Sequence, residues 1–161
     1  MTISVRLGAP DEWDAAVEIW RLADEARHDR PPTLDAIGRV RLLGARLGGY
    51  FVLAEDDDAL VGMSMGEPAR EADGAGAPIP GLLHVTMVYV HPDRWGERIG
   101  AALVDRVLDE AWSREYEAAQ LWTAADNTRA QTLYERIGWR RSGHEQHNDD
   151  GRPIVRYERA L

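Results

Sequence analysis

The stretch His91-Pro92-Asp93-Arg94-Trp95-Gly96-Glu97-Arg98-Ile99-Gly100 constrains this chain more than any other. An apolar, β-branched run from Val85 to Val90 enters it. A helical pattern leaves it: Ile99, Leu103, Val107 and Ala111 recur every four residues, flanked by Val104, Leu108 and Trp112. Asp105, Arg106, Asp109 and Glu110 fall on the opposite face. The stretch therefore reads as strand, glycine-bearing turn and helix N-terminus. Such a turn aims backbone N–H groups and a positive dipole end at one point, which suits a phosphate. Any helix that follows a strand carries these groups, so the pattern alone does not name a ligand.

The chain has 161 residues, enough for one domain with a single core. Hydrophobic residues make up 44% of it, so disorder is excluded. The net charge of −9, with a pI near 5.0, argues against a nucleic-acid footprint and tolerates a cationic substrate. The absence of cysteine removes disulfides, thiolate metal sites and a cysteine nucleophile together. Met1 to Arg6 shows no signal-peptide pattern, and no apolar run is long enough to span a bilayer. The expectation is a soluble cytoplasmic protein with no membrane partner.

Taken in order, Thr2 to Leu7 alternates like a short strand. Pro10 and Asp11 open a helix whose apolar face is Trp13, Ala16, Val17, Trp20 and Ala23. Pro31-Pro32 breaks the chain, and Thr33 can cap a second helix with Leu34, Ile37, Leu43 and Leu47 inward and Gly48-Gly49 at its end. Tyr50 to Ala54 and Ala59 to Met65 read as hairpin partners around an acidic turn. The Gly-, Ala- and Pro-rich segment Glu67 to Gly81 predicts a mobile loop, either a lid or a tolerated insertion. Leu82 to Val90 is a strand, and after the Ile99–Trp112 helix Ala119 to Ala125 is another. Asn127 starts a helix with Ala130, Leu133, Tyr134 and Ile137 inward, and Gly138 stops it. Trp139 to Gln146 and Ile154 to Tyr157 form two last strands around Asn148-Asp149-Asp150-Gly151. No repeat or linker is visible, so 1–161 is expected to be a single domain built on a mixed α/β sheet.

Two blocks resemble the GNAT superfamily of acyl-CoA-dependent N-acetyltransferases. The first, Val90 to Leu103, is similar to that family's pyrophosphate motif, Arg/Gln-x-x-Gly-x-Gly/Ala after a strand end. The second, Asn127-Thr128-Arg129-Ala130-Gln131-Thr132-Leu133-Tyr134-Glu135-Arg136-Ile137-Gly138-Trp139, is similar to its N-x-x-A-x-x-x-Y-x-x-x-G-F/W signature. Their order and spacing fit over essentially the whole chain. The resemblance implies a central, mostly antiparallel sheet, splayed in the middle and flanked by helices. The chain departs from the pattern at Trp95, where Arg or Gln is usual, and at Arg98, where the first motif glycine is usual. With helical dihedrals Arg98 would be unstrained, and its charge would favour a diphosphate.

The resemblance implies acetyl-CoA as co-substrate and no metal. Trp95, Gly96, Glu97, Arg98, Ile99, Gly100 and Ala101 would surround the pyrophosphate. The strand end Met87, Val88, Tyr89 and Val90 would offer backbone groups to the pantetheine amides and thioester carbonyl, an extended ligand adding to a strand edge. Asn127, a sufficient helix cap in its own right, would also touch the pantetheine arm. Tyr134 is either core or the proton donor to the departing thiolate. The acceptor amine must lose a proton, and His84, six residues before Val90, is the first candidate base, with Thr86 and Glu67 as others. Trp20 and the Arg27-His28 region could reach a substrate, since the first two helices flank the acceptor site in that family. His144 and His147 are poorly spaced on a strand for a zinc site.

The reading that follows is transfer of an acetyl group from acetyl-CoA to a primary amine by direct attack. The acceptor is a small-molecule or peptide amine, and a homodimer is compatible with the sequence. A non-catalytic acyl-CoA-binding module, or transfer from another donor or to a hydroxyl, remains open. A generic nucleotide-binding protein ranks last, because neither a Walker A nor a G-x-G-x-x-G pattern is present.

Overall fold

The computed structural model describes residues 2–161. Its elements run β1 (Ile3–Leu7), α1 (Trp13–His28), α2 (Leu34–Leu43), β2 (Tyr50–Asp56), β3 (Ala59–Arg70), β4 (Pro78–Val90), α3 (Ile99–Ser113), β5 (Ala118–Ala124), α4 (Thr128–Arg136), β6 (Arg140–His147) and β7 (Pro153–Ala160). Among the described residues the strands form one sheet of seven, ordered β1-β2-β3-β4-β5-β7-β6. The β1/β2, β2/β3, β5/β7 and β6/β7 pairs are antiparallel and β4/β5 is parallel. This is the mixed, mostly antiparallel sheet with flanking helices that the sequence predicts. The chain divides into two compact units: residues 1–67 with 87–107, and residues 68–86 with 108–161.

In the first unit, strand alternation sorts side chains to two faces. Phe51, Leu53, Met63, Met65 and Met87 pack with Trp13, Ala16, Val17, Ile19 and Trp20 of α1, and Ile37, Val40 and Leu43 of α2 lean on this cluster. Trp13 meets Phe51 edge-on, with ring centroids 5.1 Å apart. On α3, Ile99, Leu103, Val104 and Val107 are buried. Gly62 lets α3 approach, since a Cβ there would stand 2.9 Å from Leu103 Cδ1. Tyr50 adds a polar tie, its hydroxyl donating to the Val107 carbonyl at 2.7 Å.

The expected second helix ends early. Thr33 caps it, accepting from the Ala36 N–H at 3.1 Å, but α2 stops at Leu43 instead of running to Gly48-Gly49. Trp13 explains the stop. Its indole N–H donates to the Arg41 carbonyl at 3.1 Å, satisfying one of the helix's last acceptors. The chain then passes over the ring at Gly44, where a Cβ would lie 2.5 Å from Trp13 Cδ1. Leu34 at the helix start and Leu47 beyond its end are therefore exposed, not inward.

The expected mobile loop is also corrected. β3 extends to Arg70 and β4 starts at Pro78, leaving only residues 71–77 as the connection. That connection closes tightly, with the Glu71 N–H donating to Ala77 O at 2.9 Å and the Gly76 N–H to Glu71 O at 2.8 Å. Its prolines, Pro68, Pro78 and Pro80, sit in or at the start of the arms, beyond the Gly66 end of the β2/β3 register and before the Leu82 start of the β4/β5 register, where backbone extension suits them.

In the second unit, β4 runs beside β5 from Leu82↔Ala118 to Val85↔Leu121, and the register stops there. β5 continues against β7 as far as Ala124↔Ile154. Leu83, Val85, Ala119, Leu121, Val155, Tyr157 and Trp139 are buried. The Gly138 φ of +96°, open to glycine, turns the chain out of α4 into β6. No helix among the described residues is long and apolar enough to cross a membrane.

Candidate active site

The strand end and turn are built from the first unit. The His91 N–H donates to Val61 O at 2.8 Å, fixing the last residues of β4 on β3. Ser64, fully buried, donates its hydroxyl to the Met87 carbonyl at 2.6 Å. Backbone polar groups alternate between strand edges, so Met87, Tyr89 and His91 address β3 while Val88 and Val90 present theirs to the opposite edge. The Val90 carbonyl is taken by the Trp95 indole N–H at 2.8 Å. That leaves the Val88 amide pair and the Val90 N–H as the groups an extended ligand would meet.

The turn is held by side chains, not by its ligand-facing backbone. Pro92–Arg94 forms a single 3-10 turn, with the His91 imidazole accepting from the Asp93 N–H at 3.2 Å. Arg94 then grips Glu97 at 2.8 Å and Asp56 at 3.0 Å, pinning the turn to the β2–β3 hairpin. The Trp95 N–H is spent on Pro92 O at 3.3 Å, so Trp95 contributes to the stretch by bracing it. Gly96 and Arg98 both adopt left-handed backbone, with φ of +87° and +63°. The Ala102 N–H donates to Arg98 O at 3.3 Å, which makes this the first turn of α3. The Ile99, Gly100 and Ala101 N–H groups, with no carbonyl earlier in the helix to bond, point out of its positive end. Around Gly96 no heavy atom comes within 4 Å of a built Cβ, so space lies over the curl. Curled backbone opening onto a helix N-terminus is a fit for a diphosphate.

Arg98 departs from expectation. Helical dihedrals would have left it unstrained; its φ of +63° instead puts an L side chain where glycine is favoured. The next residue, Ile99, begins α3 and is 2% exposed, with its Cγ2 3.2 Å from where a Cβ on Gly62 would stand.

Tyr89 carries its ring toward α1. Burial, chiefly, raises its phenol pKa, and the Asp24 carboxylate adds to this while Arg27 and the Trp20 indole oppose it. Of the Trp20, Arg27 and His28 stretch named from sequence, Trp20 thus hydrogen-bonds Tyr89 near the candidate strand end, and the charge of Arg27 is felt there. His28 itself folds back on Asp24, 3.0 Å from its carbonyl.

The second unit holds His84, Asn127 and Tyr134. His84 sits half-buried on β4, opposite Gln120 of β5. Asn127 caps α4, its Oδ1 accepting from the Ala130 N–H at 3.2 Å, so its amide nitrogen is the group that can donate to a ligand. Tyr134 is 6% exposed, with its ring 6.0 Å from those of Trp139 and Tyr157. Tyr157 donates in turn to Glu135 at 2.9 Å. A single face of a short helix therefore carries Asn127 at its start and Tyr134 two turns on.

Of the other base candidates, Thr86 offers only a hydroxyl, which is no base near neutral pH. Glu67 is the one charged side chain buried among the described residues, and it pairs with Arg46 at 2.6 Å. Neither Ser64 nor Arg46 was legible as a site residue. Each shows itself only through a partner distant in sequence.

Comparison with known proteins bears on this arrangement. Residues 13–139 match the model of the acetyltransferase (GNAT) family. The chain is 32% identical over 122 residues to a mycothiol acetyltransferase of Thermobispora bispora, covering 76% of this chain and 36% of that protein. It is 34% identical over 82 residues to the L-amino acid N-acyltransferase MnaT of Escherichia coli, covering 49% of this chain and 44% of that protein. The chain thus spans less than half the length of either relative. The fold superposes on YncA of Salmonella typhimurium, solved with acetyl-CoA, at a TM-score of 0.75 and 20% identity, covering all of this chain and 95% of that one. The chain belongs to the acetyltransferase (GNAT) family, a family of acyltransferases.

Proposed function

We propose that this chain, as one domain over residues 1–161, is an acetyl-CoA-dependent N-acetyltransferase that acts on a primary amine by direct attack. The observation that carries the reading is the curl at Gly96 and Arg98, which delivers the N-terminus of α3 straight after the end of β4. The Gly96 to Ala101 backbone would hold the pyrophosphate, and the Val88 and Val90 amides the pantetheine and thioester. Asn127 would donate to the pantetheine arm. His84 takes the proton that the acceptor ammonium must lose, directly or through water. The amine nitrogen then bonds to the thioester carbonyl carbon, the carbon–sulfur bond breaks, and Tyr134 gives its hydroxyl proton to the departing sulfur. Proximity and backbone hydrogen bonds supply most of the acceleration, and no covalent enzyme species is required. The acceptor is a small molecule or peptide bearing the amine.

The test is a thiol-release assay with acetyl-CoA and a panel of amines, alongside calorimetry with acetyl-CoA. Amine-dependent release, and affinity for acetyl-CoA that collapses in a folded Gly100→Asp variant, are expected. Tight acetyl-CoA binding without release would make this a binding module. Unchanged affinity in Gly100→Asp would remove the pyrophosphate assignment.

A further inference from the structure

Glu67 presents a problem of physical chemistry that the fold alone does not resolve. A carboxylate removed from water is costly unless both oxygens find donors. The Glu67 side chain is only 10% exposed, yet just one oxygen is served, Oε1 by Arg46 Nη1 at 2.6 Å. Its other oxygen, Oε2, is buried with no hydrogen-bond partner. Leaving such an acceptor unmet costs the folded chain the desolvation of that oxygen with nothing in return. A structural ion pair would spend the guanidinium's second N–H on that oxygen, since fork-to-fork pairing is what arginine does best.

The position matters as much as the vacancy of donors. Along β3, Glu67 alternates with Met63 and Met65, the face that packs on α1. It lies three residues beyond Ser64, whose hydroxyl holds the Met87 carbonyl of β4. Three residues of strand span about 10 Å, within the length of a small amine substrate from the strand end that would hold the thioester. Arg46 stands in the connection between α2 and β2, and its side chain is 53% exposed. The partner of the buried carboxylate is thus anchored outside, and its guanidinium can withdraw into water once another cation takes its place on Glu67.

We propose that Glu67 recognises the acceptor: its Oε2 receives an ammonium group of the substrate, and Arg46 is a displaceable cation that keeps the carboxylate ionised until the acceptor arrives. The inference rests on the acetyltransferase reading and adds the acceptor's charge class to it. An ammonium brings three donors and can bridge both oxygens, which a guanidinium bound through one N–H does not. The acidic balance of the chain, −9, favours approach of such a substrate.

The test compares benzylammonium with its neutral analogue benzyl alcohol, titrated by NMR into the whole protein at pH 8.0 with and without CoA. Wild type is expected to bind benzylammonium at least ten-fold more tightly. Glu67→Gln should abolish that preference, and Arg46→Gln should tighten benzylammonium at least three-fold by removing its competitor. Equal binding of the two probes by wild type overturns the proposal without recourse to any variant. So does a preference that survives in a folded Glu67→Gln, or weaker ammonium binding in Arg46→Gln, which would make Arg46 a fixed part of the site. Acetyl-CoA titrated into the same samples separates the readings: its failure to bind wild type counts against the acetyltransferase assignment, while the probe comparison still decides Glu67.

Discussion

The Trp95 indole reaches back across the turn to donate a 2.8 Å hydrogen bond to the Val90 carbonyl, so a side chain of the turn closes the strand that feeds it. Two consequences follow. One acceptor at the strand end is occupied and withdrawn from any ligand. The turn is also braced, because Trp95 spends its N–H on Pro92 and its ring on Val90. Trp95→Phe removes the bond and keeps most of the ring. A hydrogen bond of net value about 1 kcal/mol corresponds to roughly five-fold in acetyl-CoA affinity, if the brace preorganises the curl. Calorimetry on the two proteins checks this, and equal affinities would mean that Arg94 alone suffices to hold the turn.

Arg98 separates strain from charge. Its left-handed backbone costs an L residue about 1–2 kcal/mol, partly offset because glycine loses more entropy on folding. Arg98→Gly is therefore expected to gain about 0.5–1 kcal/mol, a melting temperature higher by a few degrees. Arg98→Ala keeps the strain and loses the charge. If the cation assists the diphosphate, both variants bind CoA less tightly at low salt and converge on wild type at high salt. Thermal melts showing Gly less stable than Ala would contradict the strain argument.

Acid stability has a local handle at Glu12. Hydrogen bonding from Arg6, and then from the Ala9 N–H, lowers its pKa from 4.5 to about 2. The folded value lies below the unfolded one, so the contribution is fully present above about pH 4.5 and is lost as pH falls toward 2. Glu12→Gln should flatten the pH dependence of unfolding within that window and leave it unchanged above. Denaturant melts at closely spaced pH values read it directly, and an unaltered slope would show that the Arg6 pairing adds nothing beyond its exposed geometry.

The elements that sequence resolved are those in which local signals agree. α1 has a single apolar stripe, α4 has Asn127 before it and Gly138 after it, and α3 follows a run that can only be a strand. The misreadings came where a distant residue overrode the local pattern. Leu47 sits at helical spacing from Leu43, but Trp13, thirty positions before Leu43, meets the end of the helix at Arg41 and Gly44. Glycine and proline between Glu67 and Gly81 suggest a loop, yet the prolines sit in the extended arms of a hairpin and Gly74 in its tight tip. The φ of Arg98 was beyond reach for the same reason. It accompanies the start of α3 and the burial of Ile99, which the letters around it do not record.

Tyr134 lends itself to a clean test of chemistry against packing. Its ring lies between Trp139 and Tyr157, each 6.0 Å away, and it is 6% exposed. Burial at that level is sufficient reason for an aromatic residue, so the hydroxyl, not the ring, is what the proposed mechanism needs. Tyr134→Phe keeps the ring contacts and alters little apolar area, so the fold should survive. Acetyl-CoA affinity should stay within about two-fold, since the proposed role begins only when the carbon–sulfur bond breaks. Turnover should fall by on the order of 10²-fold as the thiolate loses its proton donor. The diagnostic is the split: kcat falls while acetyl-CoA affinity holds. A variant with a reactive thioester, whose thiolate leaves readily unprotonated, should recover most of the rate. If Tyr134→Phe instead keeps kcat under conditions where chemistry limits turnover, the tyrosine is structural, and water or another side chain delivers the proton.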